Sequence, residues 1–149
     1  MIGEKTVLAR LLEVKGHYVH TVDRECSVFD CVAKMNELQV GAFLIVEDGQ
    51  LVGIVSERDI IRNVFNGNSE MSAFTVEDIM TTDLTTVGPD TSVSQAMNIV
   101  TTSRIRHLPV VSARDGIVGL ISIGDLVNWV INEQQKHIEE LTNYISGEH

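Results

Sequence analysis

The chain has 149 residues, of which 44% are hydrophobic and 21% are charged, a balance typical of one globular domain or two small ones. Its apolar runs are far shorter than the roughly 20 residues that a membrane-spanning helix needs. The formal net charge of -10 argues against nucleic acid as the main partner, because phosphate binding requires a basic surface. The N-terminal stretch lacks the apolar core of a signal peptide, which predicts a cytoplasmic protein.

The sequence contains one structural unit twice. Ser27 precedes apolar residues with the i, i+3, i+4, i+7 spacing of an amphipathic helix, and Ser92 does the same 65 positions later. Each serine is followed three residues on by an acceptor side chain, Asp30 or Gln95, which resembles a capping box. These signals predict two copies of one helix, each beginning directly after its serine.

Each of these helices is followed by two apolar strands with a turn between them. The four strands are predicted at residues 43–46, 51–55, 108–111 and 117–121. Asp-Gly pairs ending at Gly49 and Gly116 separate them, and such pairs between β-branched runs indicate β-hairpins. The nearly continuous apolar character predicts that helices cover both faces of each sheet.

Short strands at Val22 and Val87 precede the helices, and a second helix begins near Ser56 and again near Ser122. Each unit is therefore predicted as strand, helix, strand, strand, helix. We expect five segments: an N-terminal helical segment, a first repeat, a linker, a second repeat and a C-terminal helical tail. They cover residues 1–17, 18–66, 67–75, 76–132 and 133–149.

The polar, turn-forming stretch NGNS, residues 66–69, separates the first repeat from the second. The tail is predicted to be helical as far as Ile145, with Gly147 as its stop. It carries a partial heptad stripe of apolar residues interrupted by Gln134. The apolar members are Ile131, Ile138, Leu141 and Ile145. Two heptads are too short for a stable coiled coil alone, which favours packing of the tail onto its own repeat, with a dimer contact as the alternative.

Cysteine and histidine residues do not indicate a metal or redox site. Cys26 and Cys31 are five apart inside a helical pattern, a spacing that favours buried small apolar side chains over metal or redox chemistry. His17 and His20 form a candidate ligand pair, but the sequence offers no third ligand beside them. We therefore predict no metal site.

The motif GIVSERD, Gly53 to Asp59, recurs 66 positions later as GLISIGD, Gly119 to Asp125. One interpretation is a helix cap, in which Ser56 accepts a backbone N–H and the aspartate bonds back to the serine. The other is a ligand site, because a carboxylate where a strand enters a helix can accept hydrogen bonds from both hydroxyls of a ribose diol. The two interpretations are compatible if the serine caps the helix while the aspartate faces outward.

The complete repeat resembles the cystathionine-β-synthase (CBS) domain. The second copy matches best, with VGPDTSV from Val87, LPVV from Leu108 and the motif that begins at Gly119. The first copy departs from the pattern at residues 23–25, where Pro-Asp is usual, and at residues 43–45, where Leu-Pro-Val is usual. The resemblance covers residues 18–132. It implies an α+β fold in which two βαββα repeats pack about a pseudo-twofold axis, and it implies a regulatory nucleotide sensor and not an enzyme.

The resemblance also implies two ligand clefts, each combining the motif of one copy with entrance-strand and pre-hairpin residues of the other. The main cleft would contain Ser56, Arg58, Asp59, Thr86, Ile105, Arg106 and His107. The second would contain Thr21, Val40, Gly41, Ala42, Ser122 and Asp125. The bases of the first set predict that a phosphate group binds in the main cleft. A charged, solvated strand edge is the alternative explanation of the bases at 104–107.

The expected ligand is AMP, ADP, ATP or NAD(H), bound as a regulatory signal and not as a catalytic cofactor. We further expect a homodimer and an unidentified regulated protein partner, with neither nucleic acid nor membrane as a partner. Two alternatives stay open. The clefts are relics in a ligand-free interaction module, or the chain is an enzyme, against which stands the lack of GxGxxG, Walker and nucleophile-elbow motifs.

Overall fold

The computed structural model describes residues 6–67 and 71–147, so the predicted linker lies partly outside the described residues. The elements, in chain order, are α1 (Leu8–Lys15), β1 (Thr21–Val22), α2 (Val28–Leu38), β2 (Ala42–Glu47), β3 (Gln50–Ser56), α3 (Glu57–Gly67), a 3-10 turn (Met71–Ala73), α4 (Val76–Ile79), α5 (Val93–Ser103), β4 (His107–Ser112), β5 (Gly116–Ser122) and α6 (Ile123–Ser146). They form two compact units. The central unit is Tyr18–Thr85, and the terminal unit combines the segment up to His17 with the segment from Thr86.

The sheet of the central unit has three strands in the order β1-β2-β3, with β1 parallel and β3 antiparallel to β2. Asp48 and Gly49 connect β2 to β3 with φ angles of 51° and 77°, as the tight turn typical of Asp-Gly requires. The first four residues of β2 are buried on both faces. Both the hairpin and the double-sided burial predicted for this strand are therefore confirmed.

An ion-pair network joins α4 to this sheet. The Arg24 guanidinium donates to Glu77 at 3.1 Å and also pairs with Glu47 at the end of β2. Arg24 lies in the stretch where the first copy departs from the Pro-Asp pattern. The departure thus provides a cation that holds α4, together with the buried Val76 and Ile79, against the first repeat.

The terminal unit has a two-stranded sheet, β4 paired antiparallel with β5. The strand predicted at Val87 is a single bridge to Val110, flanked by hydrogen bonds to Pro109 and from Val111. It ends there because Pro89, two residues on, has no N–H to continue a ladder. The connection before Gly116 is three residues long, and the hydroxyl of Ser112 accepts backbone N–H groups within it.

Helix α1 completes the core of the terminal unit. Its apolar stripe of Leu8, Leu11 and Leu12 is at most 2% exposed and packs in one cluster with Leu108 of β4 and Ile121 of β5. A helix that precedes the first repeat in sequence is therefore part of the unit that contains the second. Conversely, residues 76–85, which the sequence pattern groups with the second repeat, belong to the central unit.

Helix capping follows the predicted signals. Ser27 accepts the N–H of Asp30 at 3.0 Å, and Ser92 forms a complete capping box with Gln95. Helix α6 ends at Gly147, whose φ of 78° lies in the left-handed region that favours glycine. These ends were predicted from local residue types alone. None of the helices formed by residues 6–67 and 71–147 is long and apolar enough to cross a membrane.

The C-terminal half of α6 leaves its apolar side chains exposed. The side chains of its apolar stripe are 49–83% exposed, as is Tyr144 at 76%. The stripe, which we call the tail stripe, comprises Ile131, Ile138, Leu141 and Ile145. The interpretation that the tail packs onto its own repeat is therefore wrong for these residues.

Both cysteines are placed as small apolar side chains, with Cys31 completely buried in α2 and Cys26 half-buried. Burial raises the pKa of the Cys31 thiol from 9.0 to about 11, and the neighbouring Cys26 adds to the rise. Burial likewise raises the pKa of Cys26. At neutral pH, where a nucleophilic cysteine would be a thiolate, the thiol of Cys31 is protonated.

The raised pKa makes Cys31 a source of alkaline instability. The folded state favours the protonated thiol, so this stabilisation is complete below pH 9 and is lost as the pH rises to about 11. Chemical denaturation at pH 8.5 and pH 11 should show a loss of about 2 kcal/mol more in the wild type than in Cys31→Val. Equal losses in the two proteins would contradict the assignment.

Candidate functional site

The first GhhSxxD motif folds as a capping box at the start of α3. Oδ2 of Asp59 accepts the backbone N–H of Ser56 at 2.9 Å and its hydroxyl at 3.0 Å, while the Ser56 hydroxyl oxygen lies 3.3 Å from the N–H of Asp59. Both residues are half-buried. The cap therefore fixes the carboxylate in place through one of its two oxygens.

The second motif repeats this geometry at the start of α6. Oδ2 of Asp125 accepts the N–H of Ser122 at 2.8 Å, and Ser122 Oγ accepts the N–H of Asp125 at 3.1 Å. A third box of the same type, Thr75 with Asp78, lies outside the motifs at the start of α4. Helix capping therefore accounts for the spacing of serine and aspartate. The motifs differ from the cap at Thr75 in the chain segments that cover their carboxylates.

A segment of the central unit covers the first motif closely. A Cβ added at Gly53 would lie 2.7 Å from Met80 Sδ and 3.2 Å from the backbone oxygen of Thr81, so only glycine allows this approach. Ile54 and Thr81 exchange two backbone hydrogen bonds, and Thr81 Oγ1 donates to Oδ1 of Asp59 at 3.2 Å. The second oxygen of Asp59 thus has a neutral hydroxyl as its partner.

Helix α1 takes the corresponding position on the second motif. A Cβ at Gly119 would lie 2.5 Å from Leu12 Cδ2, and the ammonium of Lys15 donates to Asp125 Oδ2 at 2.5 Å and to the Leu120 carbonyl. Lys15 is not among the site residues predicted from the sequence, because nothing in the local pattern links it to a residue so far along the chain. The second set of predicted site residues contains no basic side chain, but Lys15 brings a cation to the second motif.

In each repeat, pre-hairpin residues lie beside the motif of the same repeat. In the central unit, Ala42 pairs with Ser56 across the sheet, and Gly41 accepts the N–H of Glu57 at 3.0 Å. In the terminal unit, His107 pairs with Ser122 across the sheet, and the backbone carbonyl of Arg106 accepts the N–H of Ile123 at 2.9 Å. The backbone carbonyls of Gly41 and Arg106 are therefore each hydrogen-bonded to the first residue of their own repeat's second helix.

The remaining predicted site residues divide between the units. Arg58 is exposed on α3, and Thr21 is exposed at the start of β1. Thr86 is exposed in the terminal unit, and Ile105 is half-buried there. The combination of residues from different repeats into one cleft, implied by the resemblance, stays a prediction.

A cavity of about 470 Å³ lies between α2 and α3 of the central unit and includes two of the predicted residues, Val40 and Gly41. Its lining is Val32, Met35, Asn36, Gln39, Val40, Gly41, Glu57, Ile60 and Ile61. The carboxylate of Glu57 lies 3.4 Å from where a Cβ of Gly41 would stand. This acidic neighbour, absent from the sequence-based set, makes the region around Gly41 unsuited to a phosphate group.

The two candidate histidines are engaged separately. His17 Nδ1 lies 2.9 Å from the Val118 carbonyl, and His20 makes edge contacts with Tyr18 and Phe43. Within the described part of the chain, no three His, Cys, Asp or Glu side chains are grouped so as to hold a metal ion.

Two βαββα-type repeats with a capped aspartate at the same place in each define a tandem-repeat α+β protein. The sequence model of the CBS domain matches residues 13–66 and 76–132, and the chain belongs to the CBS domain family. It is 35% identical over 153 residues to the mitochondrial CBS domain-containing protein CBSX3 of Arabidopsis thaliana, covering 97% of this chain and 74% of that protein.

Solved structures share this fold. A signal-transduction protein with CBS domains from Burkholderia ambifaria MC40-6, itself described as putative, superposes with a TM-score of 0.82 and 39% identity, covering 87% of this chain and 96% of that one. The CBS domain pair of protein MJ0100, solved with 5'-methylthioadenosine and S-adenosyl-L-methionine, superposes with a TM-score of 0.72 at 22% identity. The coverage is 83% of this chain and 94% of the MJ0100 pair. The predicted fold class of two CBS repeats is confirmed.

Proposed function

We propose that this chain is a regulatory module that binds AMP, ADP, ATP or NAD(H) and passes occupancy on to a partner protein without catalysing a reaction. The observation that carries the proposal is the pair of carboxylates, Asp59 and Asp125, held at equivalent helix starts by equivalent hydrogen bonds. A ligand shifts a conformational equilibrium only by the difference in its affinity for the two states. The regulatory effect therefore depends on which of the two conformational states binds the ligand more tightly through these carboxylates.

A fixed carboxylate suits a ribose diol for geometric reasons. An ionised carboxylate has about four acceptor positions, and at Asp59 the two donors of Ser56 and the hydroxyl of Thr81 occupy three of them, so a ribose diol binds there by replacing neutral hydroxyl donors. At Asp125 the cap N–H and the Lys15 ammonium share Oδ2. Hydrogen bonds to a charged group contribute roughly 1.5–3 kcal/mol, against the roughly 8 kcal/mol that micromolar affinity requires. The adenosine-derived ligands of the MJ0100 pair carry the same adenosine group.

We assign the phosphate group to the basic residues Arg58, Arg106 and His107, in a chain whose net charge is -10. A guanidinium group binds phosphate oxygens in a bidentate manner, which a lysine does not reproduce. Ser56, Asp59, Thr86 and Ile105 are proposed to contact the sugar and base of the same ligand. For the second ligand position we propose Thr21, Val40, Gly41, Ala42, Ser122 and Asp125.

The first test compares Asp59→Asn and Asp125→Asn with Asp78→Asn by thermal shift and calorimetric titration with AMP, ADP, ATP, NAD, NADH and S-adenosylmethionine. A ligand at about a hundred times its Kd should stabilise the wild type by about 2.7 kcal/mol, a shift of several degrees in Tm. Asp59→Asn should weaken nucleotide binding about tenfold or more, because an amide replaces a charged acceptor.

Asp78→Asn is the matched control, because Asp78 forms the same type of cap outside the motifs. It should lower Tm without changing nucleotide affinity. Absence of binding by the wild type, or an equal loss of affinity in Asp78→Asn, would contradict the proposal and favour the ligand-free interaction module.

The phosphate assignment has its own test. Arg106→Ala should weaken AMP binding about tenfold while leaving adenosine binding nearly unchanged, because only AMP offers a phosphate to the guanidinium group. Arg114→Ala, which removes another exposed arginine from the terminal unit, should affect neither ligand. Equal effects of Arg106→Ala on AMP and adenosine would show that Arg106 does not bind the phosphate.

We further propose that two copies associate through the tail stripe. Ile138, Leu141 and Ile145 follow the three- and four-residue spacing of a coiled-coil seam. Ile131 lies one heptad before Ile138, with the uncharged Gln134 at the seam position between them. The charged side chains in residues 131–147 of α6 lie on the opposite side of the helix. They are Glu133, Lys136, Glu139 and Glu140. A second copy of the helix can therefore cover the seam without burying a charged side chain.

Sedimentation equilibrium at micromolar concentration should show a wild-type dimer. Leu141→Glu should shift it towards monomer, because it places a carboxylate in the seam without disturbing a packed core. Asn143→Glu adds the same charge to the opposite side of the helix and should leave the dimer intact. A monomeric wild type, or a Leu141→Glu protein that stays dimeric, would overturn the proposed contact.

A further inference from the structure

Lys15 connects α1 to the second motif inside the terminal unit. Its ammonium donates to Asp125 Oδ2 at 2.5 Å and also to the backbone carbonyl of Leu120. The same carboxylate oxygen accepts the N–H of Ser122 at 2.8 Å. Since the Lys15 and Asp125 side chains are 35% and 25% exposed, water screens the ion pair only in part.

The position of Lys15 is fixed by packing. Leu12, three residues earlier on α1, is fully buried. Its methyl groups come so close to Gly119 that a side chain at position 119 would collide with them. His17, two residues later, has Nδ1 2.9 Å from the Val118 carbonyl. Contacts on both sides of Lys15 thus hold it over the strand that leads into the motif.

The first motif has a different partner at the corresponding place. Asp59 accepts from Thr81 Oγ1, a neutral hydroxyl, at 3.2 Å and through Oδ1, the oxygen that the cap does not use. Asp125 is instead paired with a cation, through the oxygen that also receives the cap hydrogen bond. The two carboxylates therefore differ in charge environment although their caps are alike.

We infer that Lys15 is a specificity-determining residue that lowers the affinity of the second motif for ribose hydroxyls. The inference rests on the proposed function. A diol is a neutral donor. To donate to both oxygens of Asp125, it must displace the Lys15 ammonium group from Oδ2. At Asp59 the diol competes only with neutral hydroxyls, those of Ser56 and Thr81. Nucleotide therefore binds at Asp59 at lower concentration than at Asp125. Lys15 determines the ratio of the two dissociation constants.

The test titrates AMP and adenosine calorimetrically into proteins that carry Asp59→Asn, so that the second motif is observed by itself. Adding Lys15→Met, which keeps the length of the side chain but removes its charge, should raise the affinity for both ligands about fivefold to tenfold. Adding Lys15→Arg should leave affinity unchanged, since the cation is retained. A third substitution, Asp125→Asn, should remove the gain produced by Lys15→Met.

Lys136→Met, on the exposed part of α6, is the control for loss of one positive charge and should change neither affinity. The Tm of each protein without ligand shows whether it is folded. Lys15→Gln, which still offers a donor to the Leu120 carbonyl, should give the same direction of change with less effect on Tm.

Unchanged or weaker binding of both ligands after Lys15→Met, with the wild type binding AMP through Asp59, would overturn the inference while leaving the proposed function standing. Weaker AMP binding with stronger adenosine binding would also overturn it, because Lys15 would then be a phosphate ligand. Absence of AMP and adenosine binding in every protein, the wild type included, would overturn the proposed function and the inference together.

Discussion

The structure depends on one constraint: each small sheet is apolar on both faces and must be covered by helices on both. In the terminal unit, burial of Leu108 and Ile121 requires α1, whose Leu8 and Leu12 complete the same cluster. A pair of strands is too small to form a stable core of its own. Since the covering helix must come close to the strand, a glycine is needed at Gly119, and the glycine of the repeated motif is in this sense a packing residue.

The same constraint brings charged and polar groups to the motif carboxylates. The segment that covers each sheet carries a side chain that reaches the motif aspartate, Thr81 for Asp59 and Lys15 for Asp125. A half-buried carboxylate is stable only when donors satisfy it, and here the cap and the covering segment share that role. Packing and the proposed ligand chemistry therefore use the same few residues, so substitutions there are expected to alter stability and binding together.

Local patterns in the sequence were enough to predict the hairpins, the helix caps and the duplicated motif. Asp48-Gly49 and the Ser92 box are signals confined to four or fewer residues, and the matching of two copies reinforced them. The partners of the aspartates were missed, because Lys15 lies 110 residues from Asp125 and carries no signature of the repeat. The packing of the tail stripe on its own repeat was predicted wrongly, because an apolar stripe indicates that a surface covers it but does not identify that surface.

The two units also differ in how the chain can build them during synthesis. The central unit is continuous, from Tyr18 to Thr85, so all of its residues have been made before most of the second repeat exists. The terminal unit needs both α1, residues 8–15, and β5, residues 116–122, and closing the long loop between them carries an entropic cost. Synthesis from the N-terminus therefore favours a nascent chain in which the first repeat folds early, while the apolar stripe of α1 remains uncovered until the last strands emerge from the ribosome.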